Sequence, residues 1–146
     1  MKTYNWGIIG PGRIAHKFAD DLKFLPNARL HAVASTSMER ARAFAAEYGA
    51  PHAFGSYEEM VRCSGLDVVY IATPHDSHGQ LAWACLSRGI PVLCEKPLAT
   101  SVEDAVRLRD AAAASGKVVH VGHMKRYDGG IEAAKDFIDG EMGQML

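Results

Sequence analysis

Nowhere in these 146 residues does an apolar run approach the roughly 20 needed to span a bilayer, so no membrane partner is expected. The N-terminus, Met1-Lys2-Thr3-Tyr4-Asn5-Trp6-Gly7, lacks the apolar core and small-residue cleavage site of a signal peptide. Neither sign of charge is in excess. Lys and Arg number 16 against 17 Asp and Glu, a net charge of −1, which gives no electrostatic footprint for nucleic acid. Cysteine is scarce: Cys63, Cys85 and Cys94 form no Cys-x-x-Cys pair. They read as buried, reduced thiols of a cytoplasmic protein, and no motif activates any of them as a nucleophile. Internal repeats and low-complexity linkers are missing too, which excludes solenoids and disordered tethers.

What is present is an alternation of strand and helix. Hydrophobic residues make up 48% of the chain, enough for one ordinary domain that buries roughly 70% of its unfolded surface. Trp6 to Ile9 is a short apolar run stopping at Gly10, a buried strand. Ile14, Phe18, Leu22 and Leu25, with Ala15 and Ala19 beside them, then recur at helical spacing. Leu30 to Ala34 is a second strand, and Met38, Ala41, Phe44, Ala45 and Tyr48 stripe a second helix closed by Gly49. His52 to Phe54 is a third strand, and Ser56-x-x-Glu59 is a capping box opening a short helix. Asp67 to Ala72 is the clearest buried strand. A helix through Leu81, Cys85 and Leu86 stops at Gly89, and Pro91 to Cys94 is the fifth strand. Ser101 opens a long helix that Gly116 ends, and Val118, Val119 and Val121 supply a sixth strand. Met60 and Trp83 fall at helical spacing with apolar neighbours and are expected in the core.

This pattern predicts an α/β Rossmann fold: a doubly wound parallel sheet of order 3-2-1-4-5-6 with helices on both faces. Residues 1–122 make up that domain. After Tyr127-Asp128-Gly129-Gly130, Ile131, Ala134, Phe137 and Ile138 mark one more helix at about 130–139. It either packs on the sheet or opens a further domain.

Gly10-Pro11-Gly12-Arg13-Ile14-Ala15 is a G-x-G-x-x-A loop directly between the first strand and the first helix. Gly10 permits the tight turn, Gly12 lets a pyrophosphate approach the backbone, and Ala15 lets the helix pack on the sheet. The helix N-terminus offers unpaired N–H groups to the anion. The carboxylate that usually ends the second strand and holds the ribose hydroxyls is absent. The chain reads Ala34-Ser35-Thr36-Ser37 there, with no carboxylate until Glu39. A carboxylate beside a 2′-phosphate repels it, so its absence favours NADP(H) over NAD(H). Ser35 and Thr36 can donate hydrogen bonds, and Arg40 or Arg13 can add charge; the plainer reading is that Ser37 caps the second helix and Arg40 is solvated.

Ligands of open parallel sheets sit outside the carboxyl ends of the strands, and the unusual residues collect there. Thr73-Pro74-His75 follow strand four, Glu95-Lys96-Pro97 follow strand five, and His123 to Tyr127 follow strand six. An acid and a base side by side, stiffened by the following proline, suit proton transfer with an alcohol or carbonyl.

Together, Gly10-Pro11-Gly12-Arg13-Ile14-Ala15, Ala72-Thr73-Pro74-x-x-x-His78 and Glu95-Lys96-Pro97 resemble the glucose–fructose oxidoreductase/inositol dehydrogenase family (Gfo/Idh/MocA), across essentially the whole chain. Trp6 to about Leu98 is most similar to its dihydrodiol dehydrogenase branch, and Gly122 to Asp128 is closer to its inositol dehydrogenase branch. The resemblance implies that Lys96 is the catalytic lysine, that Glu95 contacts the nicotinamide ribose, and that the Lys96–Pro97 bond is often cis. It implies that Thr73, Pro74 and His78 line the cofactor, with His75 beside them and Arg126 near the nicotinamide end. It also implies a second α/β domain and a possible homo-oligomer. Residues 123–146 are then the start of that domain, and Gly140-Glu141-Met142-Gly143 leads into its first strand.

The expected function is therefore hydride transfer between NAD(P) and a secondary alcohol or ketone of a sugar, polyol or cyclic diol, with this piece inactive alone. The alternative is a non-catalytic nucleotide-binding module, such as a truncated or engineered Rossmann scaffold. No metal site is expected, because neither His75 with His78 nor His120 with His123 has a third ligand at a fitting spacing.

Overall fold

A computed structural model describes residues 2–140. Glu141 to Leu146, and with them all but the first residue of the expected Gly140-Glu141-Met142-Gly143 lead-in, lie outside the described residues. The elements run β1 (Tyr4–Ile9), α1 (Arg13–Leu22), β2 (Ala28–Ala34), α2 (Met38–Tyr48), β3 (His52–Phe54), α3 (Tyr57–Val61), β4 (Val68–Ile71), α4 (His78–Leu86), β5 (Val92–Cys94), α5 (Val102–Ser115), β6 (Val119–Val121) and α6 (Gly129–Gly140). Short 3₁₀ turns at His75–Ser77 and Met124–Tyr127 precede α4 and α6. All strand pairings are parallel, in the order β3-β2-β1-β4-β5-β6, as the alternation predicts.

Successive side chains of a strand point to opposite faces, and here both faces are covered, which is why the strands read as continuous apolar runs. Ile9, Ala32, Ala34, Val69 and Ile71 pack with Met60, Leu86 and Leu108 under α3, α4 and α5. Ile8, Val33 and Tyr70 point the other way, against Ala15, Ala19, Leu22 and Phe44 of α1 and α2. Serine hydroxyls cap three helices: Ser37, Ser56 and Ser101 accept from the N–H groups of Arg40, Glu59 and Asp104. The Ser56 box is half made, because the Ser56 hydroxyl donates to Glu58 rather than Glu59 reaching back. Gly49 and Gly116, both at positive φ, close α2 and α5.

Two core expectations are corrected. Trp83 is half exposed, because His78, Leu81, Ala82, Cys85 and Leu86 form the buried face of α4 and the next residue after Ala82 turns about 100° away from it. Cys63 is only partly buried, whereas Cys85 and Cys94 are fully so, and all three are free. Burial pushes the Cys85 and Cys94 thiols up to about 12, holding them protonated at neutral pH. The final helix, α6, buries none of its residues, so it does not pack on the sheet. No helix among the described residues is long and apolar enough to cross a membrane.

Candidate active site

β1 ends against a turn that admits only glycine. Gly10 has φ +87°, and a Cβ there would lie 2.8 Å from Thr73 Cγ2 and 3.0 Å from the Ala72 carbonyl oxygen. Gly12 has a different role. It caps α1 with extended dihedrals (φ −99°, ψ −175°) and no side-chain cap, and a Cβ there would meet nothing within 4 Å. The cradle above the first turn of α1 is therefore open, its first turn free of acids and the Arg13 and Ile14 N–H groups without a helical partner, while the Ala15 N–H bonds the Gly12 carbonyl oxygen. That is the chemistry a pyrophosphate needs. Gly10→Ala is expected to cost about 1–3 kcal/mol of stability through backbone strain. Gly12→Ala should leave stability within about 0.5 kcal/mol but weaken dinucleotide binding at least about tenfold. Urea denaturation and calorimetric titration of both variants check the contrast.

At the end of β2 the candidate residues separate. Ser35 is buried, and its hydroxyl accepts from Ser37 N–H at 3.2 Å. Thr36 is exposed. Ser37 does cap α2, yet Arg40 is not simply solvated: its Nη2 lies 3.5 Å from the Pro11 carbonyl oxygen, which places its charge beside the glycine loop.

The ends of β4, β5 and β6 are tied together. Ser77 Oγ donates to Thr73 Oγ1 and also lies 2.7 Å from the Pro74 carbonyl oxygen, shaping the turn after β4. Pro74 and His75 are exposed on it. His78 is fully buried. Its Nε2 lies 2.8 Å from the Thr73 carbonyl oxygen and its Nδ1 2.7 Å from that of Pro97. It therefore bridges the turn after β4 to the loop after β5 and reaches the cleft only through the backbone it holds. The Lys96–Pro97 peptide bond is cis, and Lys96 is exposed directly before it.

Glu95 is held from below. The Tyr70 hydroxyl, rising from β4, donates to Glu95 Oε1 at 2.7 Å, and Lys96 N–H donates to Oε2 at 3.3 Å. Tyr70 is itself buried with Phe18 stacked on it, centroids 4.1 Å apart. Burial and the adjacent carboxylate push its phenol well above its usual range, so it stays a donor. Sequence reasoning missed Tyr70 and Phe18. The available signal was a hydroxyl in the middle of the aliphatic run Val68-Val69-Tyr70-Ile71, since a buried phenol takes a partner.

Two clefts meet at Glu95 and Lys96. One, of about 490 Å³, runs past Arg13, Ile14, Thr73 and His75. The other, of about 530 Å³, opens toward Gly122, His123 and Arg126. Gly122 packs close beneath, where a Cβ would lie 3.4 Å from Glu95 Oε1. Arg126 is exposed on the turn after β6. The fold thus brings Arg13, Ile14, Thr73, His75, Glu95, Lys96 and Arg126 around one junction, with Ser35 and His78 buried behind the surface. Met124, within the His123 to Tyr127 stretch after β6, borders both clefts.

The model of an oxidoreductase family with an NAD-binding Rossmann fold, GFO_IDH_MocA, matches residues 4–123. The chain belongs to this family. Across 143 residues it is 33% identical to trans-1,2-dihydrobenzene-1,2-diol dehydrogenase of Mus musculus, covering 96% of this chain and 43% of that protein. The crystal structure of scyllo-inositol dehydrogenase from Lactobacillus casei with bound NAD(H) and scyllo-inositol superposes with a TM-score of 0.87 at 27% identity, covering 94% of this chain and 41% of that one. A 3-ketoreductase from Actinomadura kijaniata, in complex with TDP-benzene and NADP, superposes at 0.89 and 26% identity, covering 94% and 44%. The chain thus spans less than half the length of these Gfo/Idh/MocA relatives, and it is an NAD(P)-binding oxidoreductase domain with relatives named for both diols and inositol.

Within this Gfo/Idh/MocA domain one histidine of each pair has neighbours of its own. His75 and His78 stand edge to face with centroids 5.7 Å apart, but both ring nitrogens of His78 already face backbone carbonyl oxygens. His120 Nε2 lies 3.5 Å from the Tyr127 hydroxyl.

Proposed function

We propose that this domain serves an enzyme that interconverts a secondary alcohol and a ketone on a sugar, polyol or cyclic diol, with Lys96 as the proton-transferring group. The observation that carries the reading is the position of Glu95-Lys96 at the junction of two clefts, one leading to the glycine loop and one to the turn after β6. A bound nicotinamide dinucleotide supplies or takes the hydride. The open cradle at Gly12 fits its pyrophosphate, and Pro11, Arg13 and Ile14 border that cradle. Glu95, fixed by Tyr70, presents a carboxylate edge for ribose hydroxyls. Lys96 gives a proton to the substrate oxygen in reduction and withdraws it in oxidation. Thr73 and His75 wall the first cleft, with Pro74 between them in the chain, and Arg126 borders the second.

The reading favours NADP(H). Thr36 is exposed where a carboxylate would repel a 2′-phosphate, and Arg40 is drawn toward the loop. Calorimetric titration should show NADPH binding more tightly than NADH, and Thr36→Asp should reverse the order, since like charges in contact cost several kcal/mol. Equal affinities, or an order that Thr36→Asp leaves unchanged, would refute the cofactor assignment. The reading also takes residues 1–122 as the cofactor domain and 123 onward as the beginning of the substrate domain. It includes a cytoplasmic location, in keeping with three free cysteines, and a homo-oligomer as the working assembly.

A further inference from the structure

At the opposite end of the sheet from the clefts, three metal-ligating side chains converge that the site above does not use. His31 lies on β2, His52 opens β3 and Cys63 follows α3. One ligand atom from each lies within 4.8 Å of the others, and the two imidazoles meet edge to face, centroids 4.7 Å apart. Three separate segments supply them, so the cluster is a product of the fold.

An irregularity places His31 there. Between β1 and β2 the register slips, with Trp6 facing Leu30 and Gly7 facing Ala32, which leaves His31 as the extra residue. Such a bulge re-aims a side chain. The ring is also oriented. Its Nε2 lies 3.3 Å from the Ser64 carbonyl oxygen, and a carbonyl only accepts, so Nε2 carries the proton and Nδ1 keeps a bare lone pair. Nδ1 is buried and has no hydrogen-bond partner among the described residues. A buried acceptor without a donor is unfavourable, and a metal ion would satisfy it. Metal-bound histidines show the same division, one ring nitrogen donating to a backbone carbonyl and the other holding the ion. The turn that carries this carbonyl is braced in its own right: Asn5 Nδ2 donates to the Gly65 carbonyl oxygen at 2.7 Å, and Arg29 Nε donates to Asn5 Oδ1 at 2.6 Å.

We propose that His31, His52 and Cys63 form a zinc site, with His31 Nδ1, a ring nitrogen of His52 and the Cys63 thiolate as ligands and water in the fourth position. Two imidazoles and one thiolate are zinc's preferred donor types. Tetrahedral coordination at ordinary zinc bond lengths sets ligand atoms about 3.3–3.7 Å apart, a contraction that rotation of the exposed His52 and half-buried Cys63 supplies. On binding, the Cys63 thiol proton passes to solvent, and Sγ, now 3.5 Å from the Ser64 carbonyl oxygen, turns to the ion. The ion then fastens β2, β3 and the α3–β4 connection to one another. The site lies apart from the clefts at Glu95 and Lys96, and the proposal does not depend on the assigned enzyme activity.

The test is titration of the reduced protein with Zn²⁺ by calorimetry and, separately, with Co²⁺ by absorbance. The expected result is a single ion bound at micromolar or tighter affinity, a thiolate-to-cobalt charge-transfer band and a rise in Tm with zinc. Cys63→Ser should abolish the band. His52→Gln, at an exposed side chain that folding does not need, should weaken zinc by more than the about 10–100-fold that loss of an outer partner costs. Zinc binding no tighter than millimolar, a cobalt spectrum without the thiolate band, or affinity indifferent to both substitutions overturns the proposal.

Discussion

On the proposed function, Lys96→Met in an enzyme carrying this domain is expected to lower turnover by about 10²–10⁴-fold, the usual contribution of a positioned general acid or base, while fold and dinucleotide affinity stay near those of the parent. Methionine keeps the unbranched stem and the packing of the loop and removes the group proposed to move the proton. Lys96 is exposed, and its backbone N–H, not its side chain, makes the bond to Glu95, so the substitution breaks no structural contact described above. The comparison to make is kcat on a panel of polyols and cyclic diols beside calorimetric affinity for NADPH. Turnover retained by Lys96→Met would remove the lysine from the chemistry. A full-length parent that binds dinucleotide and turns over no member of the panel would instead favour a non-catalytic nucleotide-binding module.

His78→Ala is the substitution expected to cost the most stability, about 3 kcal/mol, corresponding to a fall in Tm on the order of 10 °C for a domain of this size. It leaves a cavity beneath α4 and strips the Thr73 and Pro97 carbonyl oxygens of their partner. It also frees the loop after β5 from the turn after β4, so weaker dinucleotide binding should accompany the loss. His78→Phe separates the two contributions, since it refills most of the volume and donates to neither carbonyl. If the phenylalanine variant recovers both stability and affinity, the histidine acts by packing alone and the bridge has no role. Urea midpoints at constant m-value, with titration of NADPH, give the answer.

Much of this arrangement was legible in the residues because parallel strands buried on both faces leave a coarse signature. The run Asp67 to Ala72, the glycine stops and the serine caps each carry a local cause, so element order and strand order followed from them. Several of the chemistry-bearing residues read at the strand ends line the two clefts, since strand ends mark the cleft edge of any open parallel sheet. What escaped was side-chain direction. Ser35 and His78 were read as groups facing a ligand, and the fold turns both inward, the first onto its own turn and the second onto two carbonyls. Tyr70 escaped for the opposite reason: its neighbours are aliphatic, and only the pairing of β4 with β5 sets its hydroxyl against Glu95. His31 is the extreme case. Its position depends on a one-residue slip between β1 and β2, which no periodicity in a single strand encodes.

The loop at Glu95-Lys96-Pro97 is pinned on either side of the lysine: the Tyr70 hydroxyl grips Glu95 before it and His78 grips Pro97 after it. Its Cα is thus a fixed pivot, and its four-carbon arm is a free boom. A crane mounted this way delivers its load anywhere on a shallow dome while its footing never shifts. On the proposed function, choosing among substrates then falls to whatever walls stand around that dome, and those walls can be exchanged without re-siting the crane.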